Sequence, residues 1–164
     1  MIRFIITCLI TVSAIAHAAD TYVAKPGDFS PPNPMISDPV TWKPGTPDAV
    51  IGLTFGINAF TSIIDASSAA GAGDTVFIAS GIYAEGSEIS PMVALNFKGD
   101  GPGLTILDGN ESHSLFALSS SSTIADLTIQ NGSGSFGAGG ISSIGPELNL
   151  SNIHFLNNSL IFRP

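Results

Sequence analysis

One six-residue frame recurs through the second half of this chain, and any fold it adopts has to place every copy. Val76-Phe77-Ile78-Ala79-Ser80-Gly81 aligns without gaps to Leu104-Thr105-Ile106-Leu107-Asp108-Gly109. The frame continues in Leu127-Thr128-Ile129-Gln130-Asn131-Gly132 and in Ile153-His154-Phe155-Leu156-Asn157-Asn158. The first and third positions are apolar and the fifth is Ser, Asp or Asn, with starts 28, 23 and 26 residues apart. A weaker series lies between the copies, at Val93 to Phe97, Leu115 to Leu118 and Gly140 to Ile144.

Self-similarity at this period is the mark of stacked units that bury apolar surface only against their neighbours. Two or more short strands per unit and no repeating helix predict an all-β parallel β-helix, a solenoid of about four coils. The competing architecture is a β-sandwich, whose strands would run antiparallel. Alternation within a strand sends Leu127 and Ile129 inward and Thr128 outward. The polar fifth position suits a tight turn, where Asn and Asp bond nearby backbone and tolerate left-handed geometry. Asp108, Asn131 and Asn157 are thus expected to form a ladder at one bend, followed by Gly81, Gly109 and Gly132 with freedom for positive φ.

The chain ahead of the repeats divides into three parts. Residues 1–18 read as a cleavable signal peptide, with Arg3, an apolar run from Phe4 to Ile15 and the small-x-small site Ala16-His17-Ala18. That run is too short for a permanent span, so no stable membrane span is expected once it is removed. Residues 19–57 hold a short strand at Thr21 to Ala24, then a proline-rich surface loop from Lys25 to Asp48 that Trp42 pins to the body. Residues 58–72 read as a helix capped by Asn58, with Phe60, Ile63 and Ile64 on one face and Gly71 as its stop. This helix would lie over the first coil and protect its open strand edges. Residues 73–164 are the coils, an incomplete set.

These residues resemble a known family. Asn58 to Ala66, Gly73-Asp74-Thr75-Val76 and Ser80 to Glu85 are similar to the N-terminal cap and first coil of secreted bacterial right-handed parallel β-helix proteins, in the pectin-lyase-like superfamily. Gly139-Gly140-Ile141 followed by Ile153 to Asn158 resembles one copy of the chlamydial polymorphic outer membrane protein repeat. The resemblance implies a right-handed solenoid, secreted or displayed on the cell surface, adhesive or carbohydrate-active. Such proteins carry many more coils, which implies that this chain is a fragment of a longer helix whose C-terminal end stacks on further coils or another chain.

The content of chemistry-bearing groups is low. The formal charge is −8, and becomes −9 without Arg3, because Lys25, Lys43, Lys98 and Arg163 then face thirteen acids. A basic footprint for phosphate is missing, so nucleic acid is excluded as a partner. The only cysteine, Cys8, leaves with the leader, and with it any disulfide or thiolate site. Polysaccharide lyases on the resembled fold use a basic residue and acidic calcium ligands, whereas here Asp74, Asp100 and Asp108 fall at turns and Asp126 precedes a strand. The turn Lys98 to Gly103 offers calcium a single acid, and His113 and His154 are far apart in sequence. No catalytic residue, cofactor site or metal site is assigned. The expected role is non-catalytic, in adhesion or envelope structure, with surface glycans or neighbouring proteins as partners. The alternative is the N-terminal part of a carbohydrate-active enzyme with its active coils beyond Pro164.

Overall fold

The computed structural model describes residues 20–134 and 138–160. The expected leader over 1–18, with Cys8, and the terminal Arg163 lie outside those residues. Strand outweighs helix, 44% against 7%, so the core has to form between sheets.

The chain opens with β1 (Thr21–Val23), β2 (Phe29–Ser30), β3 (Pro39–Trp42), β4 (Val50–Thr54) and β5 (Ala59–Phe60), then α1 (Ile63–Ala69). There follow β6 (Thr75–Ile78), β7 (Gly81–Tyr83), β8 (Leu95–Lys98), β9 (Thr105–Asp108), β10 (Phe116–Leu118) and β11 (Ser122–Gln130). The last are β12 (Ser133–Gly134), β13 (Ile141–Ser143), β14 (Leu148–Leu156) and β15 (Ser159–Leu160). Alternation decides the inward residues: Val76 and Ile78 of β6, and Leu95 and Phe97 of β8, are buried, while their neighbours in the strand are more exposed.

Most strands join one parallel eight-stranded sheet in the order β5-β1-β6-β8-β11-β9-β7, with β14 also on β11. β8 meets the first half of β11, Ser122 to Ala125, and β9 meets its second half, Thr128 to Gln130. β14 pairs with both halves, so it takes the opposite edge of β11. Two small parallel pairs, β10 with β13 and β12 with β15, stand apart from this sheet.

This arrangement overturns the expected right-handed parallel β-helix of about four like coils. The parallel strands lie mainly in one sheet with ordered neighbours, no closed sheet is present among the described residues, and the repeated frames do not stack in series. The copy at Val76 pairs with β1 and β8, and β7 rather than β6 lies on β9. Only the step from Leu127 to Ile153 keeps the frame in register. Between β9 and β11 the register slips by one, placing Ile106 opposite Thr128. Burial explains the slip. Thr105 and Leu107 are fully buried while Leu104 is 57% exposed, so β9 turns its other face to the core.

β11 bends in its middle. Ser122, Ile124, Leu127 and Ile129 all face inward, which requires one extra residue between Ile124 and Leu127. Asp126 absorbs it with φ +59°, and β14 repeats the device at Asn152 with φ +50°. Gly99 passes beside this bend. A Cβ there would come within 2.3 Å of the Asp126 carbonyl oxygen, so no larger residue fits. Thr128 does not point to solvent as alternation predicts. It is 2% exposed, because the turn before β9 folds over it and the Gly103 N–H donates to its Oγ1 at 3.0 Å.

The helix is shorter than 58–72. Ala59 and Phe60 form a strand beside β1 instead, because both are buried there. Asn58 is not the cap; its Oδ1 accepts from the Thr54 N–H. Ser62 caps α1 by accepting from the Asp65 N–H, and the Glu85 carboxylate accepts from the Ser62 hydroxyl and the Ile63 N–H. The strand expected at Thr21 is β1, whereas the proline-rich segment is more than a loop. It contributes β2 and β3 to an antiparallel sheet with β4, and Pro39 opens β3 where its missing N–H does least harm. A second apolar cluster of Phe29, Val40, Trp42 and Leu53 lies there, apart from the main cluster of Val76, Phe97, Leu107, Ile124, Leu127 and Ile129.

Ile129→Ala should cost about 2–5 kcal/mol, since Ile129 is fully buried in the second limb of β11. Thr128→Val should cost about 1 kcal/mol for the lost hydrogen bond, whereas Thr128→Asp places a charge in the same buried site and should prevent folding. Urea denaturation followed by circular dichroism distinguishes these outcomes, and a mild Thr128→Asp would contradict the buried placement.

Candidate functional site

The carboxylates weighed for chemistry each hold a turn. Asp74 is 2% exposed and its Oδ2 accepts from the Gly71 N–H at 2.7 Å, closing the end of α1. Asp126 at the bend of β11 accepts from the Asn152 side-chain amide at 2.8 Å, so one bend is bonded to the next. Asp108 accepts from the Asn110 N–H at 2.9 Å, from Gln130 Nε2 at 2.7 Å and from Asn131 Nδ2 at 3.0 and 3.1 Å. The expected ladder therefore has its first two members. Its third is Asn158 rather than Asn157: Asn158 accepts from the Gly132 N–H and donates to the Ile129 carbonyl, while Asn157 supplies positive φ.

Asp108 is the titratable group most altered by these contacts. Partial burial works against its charged form, but the bonds from Gln130, the Asn110 backbone and Asn131 outweigh burial and hold the carboxyl below its ordinary value.

A groove of about 570 Å³ lies where the antiparallel sheet meets the turns of the parallel one. Asp28, Lys43, Thr46, Asp48, Ser80 and Asp100 line it. Asp100 accepts from the Ser80 N–H at 2.7 Å and the Ser80 hydroxyl at 2.9 Å, and forms an ion pair with Lys43. The Lys43 ammonium also lies 4.4 Å from the Trp42 ring centroid. Trp42 itself is 5% exposed and donates from Nε1 to the Val23 carbonyl at 3.0 Å, so it pins the segment as its isolation in the sequence suggested. Lys25 lies over the Tyr83 ring at 4.5 Å. Burial, and then the charges of Asp28, Asp100 and Glu85, push the Tyr83 hydroxyl well above its ordinary value.

The pairing of Lys43 with Asp100, beside Asp28 and Asp48 in the same groove, was not legible in the sequence. Nothing in their spacing announces it, because five strands, β4 to β8, and α1 lie between Lys43 and Asp100. His113 bonds Ser112 through Nδ1, and His154 is exposed on β14 opposite Thr128, so the two histidines stay on separate strands and turns. Lys98 is exposed at the end of β8 and lines no part of the groove. Among the described residues no three of His, Cys, Asp and Glu converge to hold a metal ion. No helix among them is long and apolar enough to cross a membrane.

The second notable surface is the outer edge of β14. Among the described residues no strand pairs with it, and Leu150, Phe155 and Leu156 are 44–48% exposed along it. No family model, curated protein or solved structure matches this chain.

The Asp108 network has a pH signature. Its depressed carboxyl contributes stability above the unfolded aspartate value of about 3.9, and this is lost as pH falls through the lower folded value. Asp108→Asn should therefore melt lower than wild type at pH 7, and the deficit should shrink once pH drops below about 4. Melting temperatures from pH 7 downwards check this; a deficit that does not change with pH would refute the role of the charge.

Proposed function

We propose that this chain is a non-catalytic part of a secreted or cell-surface protein, adhesive or structural in the envelope. It would be exported through the Sec route with cleavage after Ala18. The observation that carries this reading is the use made of its acids. Asp74, Asp100, Asp108 and Asp126 all accept bonds that hold turns, and a carboxylate held in this way is a poor proton carrier or nucleophile. The low charged fraction of the sequence and the exposed Leu150, Phe155 and Leu156 of β14 support a role in contact with other chains or with surface glycans, and the acidic balance disfavours nucleic acid.

Two measurements test the reading. The intact mass of protein recovered from the medium or cell envelope of an exporting host should match a chain beginning at Ala19; retention of the leader in the cytoplasm would defeat the export proposal. Incubation of that protein with pectate and calcium should release no unsaturated product, and its appearance would defeat the non-catalytic one.

A further inference from the structure

We propose that Asn131 is a self-modification site held latent by the side-chain ladder it belongs to. Whenever the ladder opens, the Gly132 nitrogen attacks the Asn131 side chain and turns its amide into a carboxylate.

The sequence Asn-Gly occurs once in this chain, at Asn131-Gly132. Asparagine is a chemically labile residue. It is most labile before glycine, where no side chain hinders the approach of the next backbone nitrogen to Cγ. In that step the Gly132 nitrogen gives up its proton and bonds to Cγ, the Cγ–Nδ2 bond breaks, and the proton leaves with Nδ2 as ammonia. Water then opens the cyclic imide at either carbonyl, leaving aspartate or its β-linked isomer.

The fold requires both residues of the labile pair. Asn131 has φ +51°, a conformation that asparagine tolerates, and its Nδ2 donates to both Asp108 oxygens at 3.0 and 3.1 Å. Gly132 lies against Gly139. A Cβ on it would fall 1.9 Å from the Gly139 carbonyl oxygen, so no larger residue fits.

The same turn restrains the reaction it makes possible. Attack needs the peptide group between Asn131 and Gly132 to rotate toward the side chain. The Glu111 N–H, donating to the Asn131 carbonyl at 2.7 Å, holds one end of that peptide. Asn158 Oδ1, accepting from the Gly132 N–H at 2.9 Å, holds the other. Asp108 restrains the leaving group: as a carboxylate it only accepts from Nδ2 and has no proton to give to departing ammonia.

The product cannot rejoin the ladder. A carboxylate at 131 has no hydrogen to donate and would stand beside the Asp108 carboxylate, so two donor contacts become a repulsion between like charges. Each local opening of the turn thus carries a chance of irreversible loss, and the modified fraction records how often the chain has opened.

Peptide mapping by mass spectrometry tests this. At mildly alkaline pH, residue 131 should gain about one dalton in the urea-unfolded chain and stay unchanged in the folded one. Equal rates in the two overturn the latency. Folded Asn158→Ala should be modified at 131 faster than the native chain, because the Gly132 N–H is released; no acceleration overturns the restraint. Should that variant not fold, the native chain decides. Below its unfolding transition, modification at 131 should rise with urea in step with hydrogen exchange of the Gly132 amide, and a rate that ignores urea overturns the proposal. Asn131→Asp should melt below the native chain at pH 7 and regain part of the difference below about pH 4, as a carboxyl takes up its proton. An unchanged melting temperature at pH 7 would mean that the product still fits the ladder, contrary to the proposal.

Discussion

Most of this molecule depends on β11, the strand hydrogen-bonded to neighbours on both of its edges in both of its halves. β8 and β9 share one edge and β14 occupies the other, so the two limbs of the main sheet meet only through it. Ile124, Leu127 and Ile129 project from it into the main core with no exposure to solvent. The bend at Asp126 lets one strand serve both limbs, and the bond from Asn152 carries that bend into β14. A left-handed residue other than glycine costs local energy, and it persists here because pairing before and after the bend determines the geometry.

What could be read from the sequence was local. Alternating apolar residues located β6, β8, β9, β11 and β14, and the Asp and Asn at the fifth frame position do bond across neighbouring turns at Asp108 and Asn131. The assembly of those strands was not legible. The frame treats Leu104 as the counterpart of Leu127, yet Leu104 is exposed and Thr105 lies in the core. A threonine can face inward when its hydroxyl has a carbonyl within reach, and Thr105 Oγ1 donates to the Ile78 carbonyl at 3.2 Å. Polarity of the letter therefore misreports the face. The helix erred for a similar reason: Ala59 and Phe60 suit an apolar helical stripe, but pairing with β1 buries both more completely.

The groove was invisible for a different reason. Asp28, Lys43 and Asp100 belong to three separate turns, and only the antiparallel sheet built from the proline-rich segment brings them together. Trp42 is the residue through which the sequence hinted at it, since an isolated indole in a polar stretch has to be covered by something. Its bond to Val23 and its neighbour's ion pair to Asp100 clasp that sheet to the body from two sides.

The position of β1 sets an order on how this chain can be made. It is an inner strand of the sheet, with β5 on one side and β6 on the other, though it is synthesised before both. As the polypeptide leaves the ribosome, Tyr22 and Val23 emerge before either neighbouring strand and gain their last backbone partner only when Ile78 has followed. Until then an adherent segment travels unpaired in the nascent chain. Rapid completion of synthesis, or a holding factor at the exit, would spare it from pairing with the wrong strand.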